Sequence, residues 1–180
     1  MVNYKILAEQ RAKNKNQVED GLTFDNFLAA CYVKCTPQSY GPKIEKRIIQ
    51  DFKFDKIPSR KGEGDLLVTT STDFPNYNFK ENETIELKSS YLSSDGSWNF
   101  IQLRPYEKFD YYLFLLIDPL NGCDYEYILL NKEDVNDSNF KLNSIHGTKE
   151  SNKENKNIEY KLNVPQGSQT YEKLISLSLI

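Results

Sequence analysis

Residues 110–118 read DYYLFLLID, a nearly continuous apolar run of strand length. A strand with one face in water alternates apolar and polar side chains; a run without that alternation needs cover on both faces. A chain carrying such a run must therefore supply a layer for each side of a central strand. The sequence after it begins that task at once. Asn121 and Gly122 give a tight-hairpin signal, and YEYILLN follows as the returning partner strand.

Upstream the chain is helical in pattern. Thr23 reads as an N-cap, and Phe24, Phe27, Leu28, Cys31 and Cys35 then recur along one helix face. TPQSYGP breaks that helix, and a second is expected from Pro42 to Phe52 with Ile44, Ile48, Ile49 and Phe52 as its apolar positions. The Lys- and Asn-rich residues 3–20 predict a further helix that frays at its end. After the turn chemistry of DKIPSRKGEG the pattern becomes β. DLLVTTS and ETIELKSS predict two strands joined by a long polar loop, IEYKLNV another strand, and TYEKLISLSLI a terminal helix or strand. The whole predicts a single domain over 1–180, mainly helical to residue 58 and sheet-containing from residue 62. The fold class is α/β or α+β, with a central sheet flanked by helices and a helical N-terminal segment. A chain of 180 residues, 38% hydrophobic, is large enough to close such a core without cross-links.

Several function classes fall away. A net charge of −3 gives no global basic field, although a local basic cleft stays open. His146 is the only histidine, which removes two-histidine zinc enzymes and His-rich nuclease chemistry; no Gly-x-Ser-x-Gly elbow or glycine-rich phosphate loop is present. Cys31, Cys35 and Cys123 lack zinc-ribbon spacing and form no disulfide framework. The start MVNYKILAEQ has no apolar core of a signal peptide, and no segment reaches membrane-spanning length. The expectation is a reduced, cytoplasmic protein with no membrane partner.

What remains is TIELKSS. Strand alternation places Thr84, Glu86, Lys88 and Ser90 on one face and Ile85, Leu87 and Ser89 on the other. Asp65 stands at the start of the preceding strand, directly after KGEG. If those strands pair, Asp65 comes near Glu86, and two carboxylates converge beside an amine. Phosphodiester hydrolysis uses such a set: a hard cation such as Mg²⁺ on carboxylate oxygens, and a lysine to orient a water and ease loss of its proton. Glu-x-Lys recurs at Glu154/Lys156, in a charge run, and at Glu159/Lys161, in a fair strand. Neither follows a glycine-rich turn carrying an aspartate into an apolar strand. The plain alternative for all three is a surface ion pair.

GEGDLLV, IELKSS and FIQLRPYEKFDYYLFLLI together resemble the PD-(D/E)xK nucleases, and within them a small type II restriction endonuclease. The similarity runs roughly from Gly41 to Ile128. One residue departs from the pattern: Gly64 stands where the family's name has proline. The resemblance implies a restriction-endonuclease-like core in which Asp65 and Glu86 bind Mg²⁺ and Lys88 serves the nucleophilic water. It also implies a further glutamate on a preceding helix, for which Glu45 fits, an ordinary exposed helix glutamate being the alternative. Gln102 and Arg104 of FIQLRP, with Ser90, Arg60 and Lys61, are candidate DNA contacts; satisfying nearby backbone groups or a solvated turn are their plainer roles. The implied activity is site-specific cleavage of double-stranded DNA to 5′-phosphate and 3′-hydroxyl ends. A homodimer would cut both strands, and a cognate DNA methyltransferase would be the genetic partner. A structure- or mismatch-specific nuclease, or an inactive DNA-binding protein, are the alternatives. Loops at 71–82, 91–99 and 143–157 suit groove contacts.

Overall fold

The computed structural model describes residues 18–19, 21–58, 62–70, 72–145 and 158–180. The expected helix over 3–20 and His146 thus lie outside the described residues. Two helices come first, α1 (Phe24–Lys34) and α2 (Pro37–Phe52). Short strands β1 (Asp55–Lys56) and β2 (Leu66–Leu67) follow, then a small hairpin of β3 (Thr72–Phe74) and β4 (Tyr77–Phe79). The long strands are β5 (Thr84–Tyr91), β6 (Ser97–Leu103), β7 (Tyr111–Asp118) and β8 (Asp124–Asn131); β9 (Asn143–Ser144), β10 (Tyr160–Pro165) and helix α3 (Gln169–Leu177) complete the chain.

The fold is α+β around a mixed five-stranded sheet of order β1-β2-β5-β7-β8. β5 and β7 are parallel and every other pair is antiparallel. A parallel neighbour requires a crossover, and β6 makes it, leaving the central sheet to join β10 and β9 in a second, three-stranded one. The apolar run of β7 is covered on both sides. Leu113, Leu115 and Ile117 pack with Leu28, Ile44 and Ile48 of the helices and with Phe74 and Phe79 of the hairpin. Tyr112, Phe114 and Leu116 pack against Phe100, Leu162, Val164 and Leu174. Helices thus lie on one face, and the small sheet with α3 on the other.

Three expectations are corrected. α2 begins at Pro37, not Pro42, because Ser39 closes its first turn: the Ser39 hydroxyl accepts from the Thr36 amide at 2.9 Å and its own amide donates to the Thr36 carbonyl at 2.9 Å. Pro42 removes one donor inside the helix; burial of Ile44 and Ile48 in the core offsets that loss. Much of the supposed loop at 71–82 is the β3–β4 hairpin, turned into the helix-side core by Phe74 and Phe79 rather than outward. Ser97–Asn99, placed in a second loop, opens β6.

Candidate active site

Asp65 is tied on both sides. Its amide donates to the Ile85 carbonyl at 2.9 Å, and its carbonyl accepts from the Ile57 amide at 2.8 Å. β2 and β5 pair antiparallel with Leu66 opposite Ile85, so Asp65, just before β2, comes in beside Ile85 and within reach of the Glu86 charge. Its Oδ2 accepts from the Leu87 amide at 3.0 Å. The residue before it explains the departure from proline. Gly64 has φ +87°, and a Cβ there would come 3.0 Å from the Ile85 carbonyl oxygen and 3.1 Å from Phe109 Cβ. Proline, fixed near φ −65°, is incompatible with that backbone.

β5 divides by alternation. Ile85, Leu87 and Tyr91 enter the helix-side core, while Glu86, Lys88 and Ser90 share a face with Tyr112, Phe114 and Leu116 of β7. Glu86 is only 3% exposed, and its Oε1 lies 2.6 Å from Lys88 Nζ. Burial, and then the negative charge of Glu86, push the Asp65 carboxyl up to about 6. The two carboxylates are close enough to share a hydrogen bond when one is protonated. Two acids and one amine thus meet in a partly dry place where the second negative charge is held at a cost. Behind Glu86, the buried Tyr112 hydroxyl has no hydrogen-bond partner among the described residues; the Arg104 amide lies near it but outside bonding geometry.

Asp65 and Lys88 open onto a cleft of about 670 Å³, which Glu45, Ser90, Asn99 and Gln102 also line. Glu45 projects from α2, and its Oε1 is 2.8 Å from Lys56 Nζ. The hydrogen bond and charge of Glu45, and more weakly the charge of Asp65, raise the Lys56 pKa, so this ammonium stands by both acids. Ser90 is buried at 3% exposure, and its hydroxyl accepts from the Asn99 amide at 2.8 Å, joining β5 to β6. Gln102 is exposed at the cleft. Arg104 is not among the residues lining the cleft; its Nε is 2.8 Å from Glu159 and its Nη1 3.5 Å from Glu107. Arg60 and Lys61 lie outside the described residues.

Lys56 and Tyr112 were not singled out in the sequence. A two-residue strand has no periodicity to read, and the pairing of Tyr112 with Glu86 depends on a parallel register that no local pattern announces. Among the described residues no group of three or more His, Cys, Asp or Glu side chains could hold a metal ion. The acid pair fits a cation that needs few protein ligands: Mg²⁺ takes one or two carboxylates, keeps several waters and demands oxygen donors. The three cysteines are buried and free. Burial, and next Cys35, push the Cys31 thiol up to about 12, the mark of an inert core thiol.

Among the described residues no helix is long and apolar enough to cross a membrane. No protein-family model matches the chain, and no curated protein is detectably similar to it.

Proposed function

We propose that this protein is a Mg²⁺-dependent, site-specific endonuclease of double-stranded DNA, built on a PD-(D/E)xK core of the restriction-endonuclease kind. One observation carries the reading. Asp65, directly before β2, lies within electrostatic reach of Glu86 in β5, with Lys88 Nζ 2.6 Å from Glu86, beside a cleft that the lysine and Asp65 line. Burial that raises a carboxyl beside a second carboxylate is a burden for a purely structural pair and a common feature of catalytic ones.

Asp65 and Glu86 are the residues that would hold the cation. When bound, Mg²⁺ supplies neutralisation of the scissile phosphate and eases ionisation of a water. Asp65 is kept in place by the Leu87 amide, and Glu86 by its burial against β7. Lys88 orients the attacking water and stabilises its loss of a proton. The water oxygen bonds to phosphorus, the bond from phosphorus to the 3′ oxygen breaks, and that oxygen takes up a proton. The ends are a 5′-phosphate and a 3′-hydroxyl. Glu45 would serve the cleft wall, and Lys56, paired to it, would offer its ammonium to a DNA phosphate. One chain carries one such site, so cutting both strands at a symmetric sequence calls for a homodimer. A methyltransferase of matching specificity would protect the host's own DNA.

The test is direct. Long unmethylated duplex DNA is incubated with the purified protein and Mg²⁺, with chelator, and with Lys88→Ala in place of the wild type. Discrete Mg²⁺-dependent fragments, absent for the variant, are expected. Nicking confined to mismatched or branched duplexes would move the reading to a structure-specific nuclease. DNA left intact under every condition overturns it as an enzyme.

A further inference from the structure

β6 contains an irregularity where it pairs with β10. Leu162 of β10 pairs with Phe100 and Tyr160 with Leu103, so Lys161 alone stands opposite both Ile101 and Gln102. This is a β-bulge, a device that bends a strand and re-aims its side chains. The flanking Phe100 and Leu103 are buried, yet the two bulged residues both face solvent. Gln102 takes φ +56°, a left-handed conformation that glycine would adopt more easily. Ile101 is 56% exposed, the most exposed large apolar side chain among the described residues. Both line the cleft that holds Asp65 and Lys88, and the Gln102 side-chain amide makes no hydrogen bond among the described residues. A strained glutamine and an exposed isoleucine therefore sit side by side at the lip of the proposed catalytic cleft, and they also line a second, neighbouring cavity with Asn143, Glu159 and Lys161.

We infer that this bulge reads an A·T base pair in the major groove beside the scissile phosphate, an inference that rests on the nuclease reading. A glutamine amide carries one donor and one acceptor in a plane, matching adenine N7 and N6. The thymine methyl is the one apolar group that a base edge offers, and it lies only in the major groove. Ile101, adjacent to Gln102, covers that methyl and loses its own exposure to water. In the minor groove an A·T pair presents acceptors alone, leaving the glutamine oxygen unmatched and the isoleucine without a partner. The bulge thus reads one base pair with two neighbouring residues, and the left-handed turn at Gln102 is what aims both outward.

Gln102→Gly separates this role from a structural one, because glycine keeps the left-handed backbone conformation while removing the exposed side chain and its amide. Wild type, Gln102→Gly and Ile101→Ala are compared on a randomised duplex library with sequenced cut ends, made with thymine or with uracil in its place. Expected for Gln102→Gly are a thermal stability equal to or above wild type, an unchanged Mg²⁺ requirement, and a loss of about 10- to 100-fold on wild-type sites with relaxed choice at one A·T position. Expected for Ile101→Ala is a several-fold loss on thymine DNA and no further loss on uracil DNA. Gln102→Gly cutting the same sites at the wild-type rate overturns the inference and leaves the nuclease reading standing. So does uracil DNA cut as well as thymine DNA by the wild type. If the wild type neither binds nor cuts DNA, reading and inference fall together. If it binds without cutting, the same comparison of affinities decides the inference alone.

Discussion

The chain writes Glu-x-Lys twice on well-formed β-structure, and the two copies meet opposite fates. In β5, Glu86 is buried beside its own lysine and stands near Asp65, whose carboxyl is pushed up to about 6 by burial and then by the Glu86 charge. Just before and within β10, Glu159 is claimed by Arg104 at 2.8 Å, while Lys161 stands opposite the bulge in the outer sheet. One copy gathers a second carboxylate and a cleft; the other is neutralised by a guanidinium 55 residues away. A charged pair becomes a site for chemistry when its surroundings leave charge unbalanced. The motif alone does not bring that about.

On the proposed nuclease reading, the sharpest break between the copies is catalytic. Lys88→Ala is expected to lower cleavage by roughly 10²- to 10⁴-fold, and Lys161→Ala to leave it within about twofold, measured as single-turnover rates on one substrate. Equal losses would dissolve the contrast. Next comes the backbone that aims Asp65. Gly64→Ala must put a Cβ against the Ile85 carbonyl at positive φ, and it should destabilise the fold by about 1–3 kcal/mol in urea titrations.

The unbalanced charge then gives a prediction of opposite sign. The Asp65 carboxyl titrates near 6 in the fold against 3.8 ordinarily. Below the lower value it is protonated in both folded and unfolded chains and carries no penalty. As pH rises from about 4 to 6 the folded state holds the extra proton, so stability falls, and above 6 the penalty is complete. Asp65→Asn should therefore stabilise the metal-free protein by about 1–2 kcal/mol at pH 8 and by almost nothing at pH 4, while abolishing cleavage. On the proposed reading, added Mg²⁺ competes with that proton for the Asp65 carboxylate and should raise the melting temperature more at pH 8 than at pH 5. The smallest effect belongs to the other copy. Glu159→Gln weakens a partly exposed pair, with an expected cost of under about 1 kcal/mol and no change in Mg²⁺ response.

How much of this could be read from residues alone follows the range of the forces. The covered strand β7, the two faces of β5, the Thr23 start of α1 and the Asp65–Glu86 approach all came from local alternation, caps and one glycine-rich turn. The start of α2 did not, because Pro42 looked like a boundary while Ser39 and the buried isoleucines decided otherwise. The parallel register that sets Tyr112 beside Glu86 depends on where β6 goes, and the Arg104–Glu159 pair spans most of the β region. The bulge at Ile101 and Gln102 exists only as a mismatch between β6 and β10. Neither strand contains it by itself.

The crossover through β6 also has a kinetic meaning. Asp65, Glu86 and Lys88 lie within one short stretch of chain, but β7, the neighbour that walls in Glu86, comes only after the whole β6 excursion has been made. Closing that excursion is entropically uphill until β7 lands, so parallel pairings of this kind form slowly. During synthesis the three polar side chains emerge well ahead of the wall that buries them. Until it arrives, the two acids stay hydrated and mutually indifferent, and the growing chain holds the letters of its site without the electrostatics that give them meaning.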